Sequence, residues 1–190
     1  MLAALAIALQ WLAPSIPLVA SLDHLVGDRL HEVLASGEPE NRVVVVDLDE
    51  SSIAAYGAWP WPRARVADLL DALAGNYGAR MVGVDIVFPS AGDAAGDARI
   101  AALADFAPLA LAQALDFVER TPAVTSGVPV FDAPRVRGDA PGVAATGYLA
   151  NHAGLAQAKC VGNIGLQPDS DGRVRRVPLL ATWAGRSTPL

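Results

Sequence analysis

Charge is missing from the start of this chain: nothing from Met1 to Leu22 is acidic or basic, and Asp23 is the first charged residue. Cysteine is nearly missing. Cys160 stands alone, which excludes an intramolecular disulfide and a thiolate metal cluster. A lone cysteine in an apolar run is expected to be a small buried hydrophobe. Lysine is reduced to Lys159, the rest of the 14 basic residues being arginine. Against 20 acidic residues this leaves a net charge of −6, which argues against a nucleic-acid surface. There is no Ser-His-Asp constellation, no phosphate-cradling glycine loop, no nucleotide fingerprint and no internal repeat. The three histidines, His24, His31 and His152, have no ligand spacing. No catalytic residue, metal or cofactor is therefore expected.

What is there is apolar. Hydrophobic residues make up 53% of 190, and the mean hydropathy is +0.34. Glycine (17) and proline (14) are too few for a low-complexity chain and suit a turn-rich α/β domain. The uncharged stretch through Leu22 is long enough for the ~20 residues that cross a bilayer core as a helix. Pro14 and Pro17 would kink it near one end. A membrane anchor is the preferred reading, ahead of a signal peptide, whose basic n-region is missing, and of a buried helix. Residues 1–22 are thus expected as a membrane segment and 23–190 as the folded domain.

After the anchor, Leu22, Leu25, Val26, Leu30, Val33 and Leu34 recur at helical spacing. The β-branched run Val43-Val44-Val45-Val46 predicts a strand covered on both faces. A short helix is expected from Ser51-Ser52 to Gly57, and Trp59-Pro60-Trp61-Pro62 forces extended backbone. Val66, Leu69, Leu70 and Leu73 then make a helical stripe closed by Gly78. Met81 to Phe88 reads as a second buried strand, completing a βαβ unit from Val43 to Phe88.

A helix is expected near Asp97. Leu109, Leu111, Leu115 and Phe117 alternate like a strand, though the alanine content suits a helix. The strand is preferred because Pro108 precedes it and the period is two. Thr121 to Pro141 reads as loop with a short strand at Val128–Phe131. Cys160–Leu166 and Arg173–Trp183 flank Asp171-Gly172 as a hairpin. The expected fold class is α/β: a mixed sheet with a βαβ core and a C-terminal β-hairpin, preceded by an N-terminal membrane helix.

Candidate site residues gather where the first strand would end. Asp47, Asp49 and Glu50 sit at its carboxyl end, where open parallel sheets bind ligands, and Asp85 lies in the expected neighbouring strand. Such carboxylates could receive a cation or a basic ligand. They could equally cap helices and pair with Arg63, Arg65 or Arg80. Trp59 and Trp61, with Arg63 beside them, would form an aromatic, cationic ligand wall or simply brace the loop. Asp169-Ser170-Asp171-Gly172 has part of a calcium-loop pattern without its terminal Glu, so a plain turn is expected. Arg173, Arg175 and Arg176 could meet an anion or stand solvated.

Two resemblances follow. A hydrophobic strand ending in Asp-x-Asp resembles the nucleophile strand of haloacid-dehalogenase-type phosphatases, with Asp47 as nucleophile and Asp49 as acid/base. Glu50-Ser51 stands where that family has Gly-Thr or a similar pair.

The second rests on Val43-Val44-Val45-Val46-Asp47-Leu48-Asp49-Glu50, Trp59-Pro60-Trp61-Pro62-Arg63, Gly83-Val84-Asp85-Ile86-Val87-Phe88, Val161-Gly162-Asn163-Ile164, and Pro168 to Gly172 with Val174 to Leu179. In that order these blocks resemble the type-two CHASE domain, the cyclase- and histidine-kinase-associated sensory extracellular domain. The resemblance implies a non-enzymatic input domain outside the membrane, periplasmic or extracellular, coupled to a cytoplasmic cyclase or kinase. Its partners would be an unidentified small-molecule ligand and the membrane, with a homodimer open. It also implies further membrane helices and an output module, so the chain is expected to be truncated at its C-terminus. A non-signalling anchored binding protein remains the alternative beside the phosphatase.

Overall fold

The computed structural model describes residues 17–38, 40–131, 142–169 and 171–189. The chain divides into two compact units, residues 1–49 and 50–190.

In the first unit, α1 (Pro17–Leu34) is the described element. Its apolar stripe is present at the expected spacing, but Leu22, Leu25, Val26, Leu30, Val33 and Leu34 are all exposed. Among the described residues, no helix is long and apolar enough to cross a membrane. The expected anchor falls largely on residues 1–16, outside the described ones. Val43–Val46 overturns its expectation: it belongs to no strand and is exposed throughout. A β-branched run prefers extended backbone, but a strand exists only where another edge takes up its N–H and C=O groups. The expected βαβ unit from Val43 therefore does not form.

A βαβ unit does stand in the second body, further along. After α2 (Glu50–Tyr56), closed by Gly57 at φ +98, come α3 (Arg63–Asp71) and a π-turn over Ala72–Asn76. Gly78, at φ +63, ends it in the left-handed conformation that glycine adopts without penalty. Then β1 (Val82–Val84) leads through α4 (Ala94–Phe106) to β2 (Leu109–Asp116), and β1 and β2 run parallel. The strand expected from Met81 to Phe88 is thus only three residues long.

β2 is the axis of the sheet. Leu109–Leu111 pairs with β1, Leu111–Gln113 with the parallel β6 (Val161–Asn163), and Ala114–Asp116 with the antiparallel β5 (Gly147–Leu149). β3 (Thr125–Ser126) runs parallel to β5, making the sheet mixed as expected. The short strand expected at Val128–Phe131 is replaced by β3, and residues 132–141 of that loop lie outside the described ones.

Side-chain amides substitute for ladder bonds where the sheet is irregular. Asn151, 2% exposed, accepts from the Phe88 N–H (2.9 Å) and donates to the Ala112 carbonyl (2.9 Å). Gln113 exchanges both amide bonds with Val130 at 2.9 Å. Asn163 accepts from the Leu115 N–H at 2.7 Å. Buried backbone groups need such partners, and these amides supply them where the strands end early.

Ile100 and Ala104 of α4 bury with Val66, Ala67 and Leu70 of α3 and with Leu109 and Leu111 of β2. Gly96 sets how closely α3 approaches α4. A Cβ there would lie 2.2 Å from the Ala64 nitrogen.

The smaller sheet carries β4 (Val143–Ala144), β7 (Leu180–Trp183) and β8 (Arg186–Pro189), with β7 and β8 forming the C-terminal hairpin. Its turn is Ala184-Gly185, not Asp171-Gly172. The Asp-Gly pair does make a tight turn, Asp169 N–H donating to the Arg173 carbonyl at 2.8 Å. Among the described residues no ladder flanks it; Asp169 and Asp171 bind Arg175 and Asp169 also binds Arg176. These arginines are therefore engaged within their own turn. Cys160 also corrects its expectation: it is exposed. The Cys160 carbonyl accepts from the Leu111 N–H at 3.0 Å while the thiol faces outward.

Replacing Asn151 with Ala strands a buried donor and a buried acceptor at once, so a loss of about 2–4 kcal/mol is expected in urea unfolding. A loss below 1 kcal/mol would show that the amide bridge is dispensable.

Candidate functional site

The expected site residues fall in different settings. In the first unit Asp47 and Asp49 are exposed, beyond a run that forms no strand. Glu50 opens α2 and is exposed, an acidic group in the first helical turn. Asp85 is exposed one residue past β1. The strand-end geometry that a phosphatase nucleophile requires is therefore absent at Asp47.

Trp59 and Trp61 do come together. Their rings meet edge-to-face at 6.0 Å, and Tyr56 meets Trp61 at 5.9 Å. Trp61 is buried, its indole N–H donating to the Gly57 carbonyl at 2.7 Å, whereas Trp59 is 42% exposed. The Arg65 guanidinium lies 5.8 Å from the Trp61 ring and its Nη1 donates to the Tyr56 carbonyl. The stretch thus both braces the loop, through Trp61, and offers an exposed aromatic face, through Trp59.

Arg63 turns elsewhere. Its guanidinium lies 4.5 Å over the Phe88 ring, Nη2 donates to the Ser90 carbonyl at 3.1 Å, and Nε lies 3.2 Å from Asp97 Oδ1. Asp97, in the first turn of α4, accepts the Gly92 N–H on Oδ2 at 2.7 Å, and His152 Nε2 lies 3.5 Å from that oxygen. Arg63, Asp97 and His152 therefore form a largely buried charge cluster. Arg63 Nε, Asp97 Oδ1 and His152 Nε2 are sealed from solvent without a hydrogen bond of good geometry. A carboxylate in a helix's first turn is favoured by the helix dipole, and Arg63 supplies the counter-charge that burial demands.

Asp97 and His152 were not among the expected residues. They are far apart in sequence and follow no motif spacing. The local signal was the cap: Asp93 begins α4, its side chain accepting from the Gly96 N–H at 2.7 Å and the Ala64 N–H at 3.3 Å. Those backbone donors, Gly96 first, hold the exposed Asp93 carboxyl below its usual range.

The family profile described as CHASE2 domain matches residues 1–190. The chain belongs to the CHASE2 domain family. CHASE2 domains are sensory, extracellular parts of membrane signalling receptors, and not catalytic ones. No curated protein and no solved structure matched the chain.

For a CHASE2 domain the question is where a stimulus enters. An open hollow of about 540 Å³ lies beside Asp71, Gly75, Arg99, Leu103, Phe106 and Pro108, but no expected site residue lines it. Among the described residues of the second unit, the exposed aromatic face at Trp59 and the buried Arg63–Asp97–His152 cluster are chemically distinctive places.

Changing Arg63 to Gln leaves the Asp97 carboxylate buried without its counter-charge. A loss of about 3 kcal/mol is expected in denaturant titration. An unchanged midpoint would assign the pair no structural weight.

Asp93 gives a pH signature. Its lowered folded-state pKa means its contribution is present above about pH 4, the ordinary carboxyl range, and is lost as pH falls through the folded value. Asp93→Asn, an equally good cap, should leave neutral stability nearly unchanged and make the decline below about pH 4 shallower. Identical acid limbs would refute this assignment.

Proposed function

We propose that this chain is the input domain of a membrane-anchored receptor, periplasmic or extracellular, that binds a small ligand and governs a cytoplasmic cyclase or kinase. The observation that carries the reading is the family match along the whole chain. The anchor is proposed from the uncharged stretch through Leu22.

Within the second unit the ligand is proposed to be met by the exposed face of Trp59, which Trp61 braces. Glu50 and Asp85 of the same unit, and separately Asp47 and Asp49 of the first unit, are carboxylate candidates by their sequence. Trp59 offers an aromatic face, and the cation beside this aromatic group is Arg65, over the Trp61 ring, not Arg63. An exposed aromatic face suits a small molecule carrying a ring, an alkyl surface or a positive charge. Signalling then requires that ligand to bind two states of the domain with different affinity, since equal affinity shifts nothing.

In a receptor carrying the domain, Trp59→Ala and Asp49→Asn should each change cyclase or kinase output at least several-fold while the circular dichroism spectrum of the domain stays native. Trp61→Phe, which keeps most of the packing and removes the bond to the Gly57 carbonyl, should shift output less. Wild-type output from Trp59→Ala removes the aromatic site, and wild-type output from Asp49→Asn removes Asp49 as a candidate. A coding sequence that stops after Leu190 would favour a non-signalling anchored binding protein instead.

A further inference from the structure

The Arg63–Asp97–His152 cluster is not a ligand site by its own chemistry. A cation would meet Arg63, and an anion would meet Asp97. What the cluster has instead is one group, the imidazole of His152, whose charge ordinarily changes between pH 5 and 8.

The hydrogen bonds around that ring fix how it takes up a proton. The Gly154 N–H donates to Nδ1 at 3.2 Å, so Nδ1 presents its lone pair and the neutral ring carries its hydrogen on Nε2. Nε2 faces Asp97 Oδ2 at 3.5 Å. An incoming proton can add only at Nδ1, onto the lone pair that Gly154 uses. The Gly154 N–H then confronts another N–H, and the bond is lost. At the same time the imidazolium competes with Arg63 and the Gly92 N–H for the Asp97 carboxylate.

The charged and titratable groups around the ring, element by element, are few among the described residues. α3 contributes Arg63 and α4 contributes Asp97, with Asp93 one turn earlier turned onto the Gly96 and Ala64 amides. The segment after β1 contributes Phe88, whose carbonyl accepts the His152 N–H at 2.7 Å, and the preceding residue is the neutral Asn151.

The turn that would move is not a loose loop. The Leu155 and Ala156 amides donate back to the His152 carbonyl at 2.9 and 3.0 Å, and both side chains are buried, Leu155 at 1% exposure. Through Asn151 the same corner is tied to Phe88 and to Ala112 of β2. A proton arriving at one ring nitrogen therefore acts on a turn that is part of the core.

We propose that His152 is an acid-sensitive latch: neutral, it holds the 152–156 turn through Gly154, and protonated, it releases Gly154 and draws toward Asp97. This goes beyond the small-ligand reading, because it makes external acidity a stimulus the domain registers by itself.

The test uses the ¹⁵N-labelled chain and needs no receptor output, so its failure is separate from failure of the ligand site. Long-range ¹H–¹⁵N correlation of the His152 ring is followed from pH 8 to 4.5, with amide exchange at Gly154 measured in parallel. The neutral ring should show hydrogen on Nε2. As the ring gains its proton, Gly154 exchange, corrected for the intrinsic rate, should rise about fivefold, the loss of one hydrogen bond. His152→Gln should abolish that pH dependence; should it fail to fold, the wild-type ring and amide data decide alone. A neutral ring with hydrogen on Nδ1, a ring that stays neutral to pH 4.5, or Gly154 protection that persists through ring protonation would each overturn the latch.

Discussion

A carboxylate taken out of water must find positive charge or hydrogen-bond donors, and in the second unit that demand converges on Asp97. Meeting it takes the guanidinium of Arg63 from α3, the Gly92 amide from the loop ahead of α4, and the imidazole of His152 from the segment after β5. The three come from separate stretches of chain. Arg63 can reach Asp97 only if α3 lies close against α4, and the hydrogen at Gly96 in place of a side chain allows that approach. Charge neutralisation and helix packing are therefore one constraint.

The sheet obeys a related rule. Its strands are short, yet the backbone groups they leave behind are taken up by Asn151, Gln113 and Asn163. A fully satisfied buried amide fixes geometry more tightly than an apolar contact, because its alternative is a desolvated orphan. Phe88, over which Arg63 stacks, is held at its backbone by Asn151, so the aromatic floor of the charge cluster and the pairing of the sheet share a residue.

The helices were legible in the sequence because punctuation and period agreed, and β2 was preferred as a strand on its period of two after Pro108, against an alanine content that suits a helix. Gly57 and Gly78 adopt the positive φ that ends a segment, and Leu109, Leu111 and Leu115 alternate inward along one strand. The strand between Met81 and Phe88 was overextended because its apolar residues fit a ladder as well as they fit an amide-bridged bend. Val43–Val46 misled more fundamentally: β-branching states a preference for extended backbone and says nothing of whether an edge is available. Of the candidate site, the Trp59–Trp61 contact was legible from Trp-Pro-Trp-Pro, and Arg63 was singled out for the wrong neighbour. Its true partner, Asp97, lay in a helix start whose acid looked like an ordinary first-turn residue, and His152 offered no spacing at all.

The outward thiol of Cys160 has a practical consequence. Because no other cysteine exists in the chain, a maleimide dye or spin label would attach at one defined place. That place borders the backbone bond between Cys160 and Leu111, on the strand that every branch of the larger sheet meets directly or through one neighbour. The molecule thus carries its own attachment point for a spectroscopic reporter, at the start of β6 where that strand meets β2.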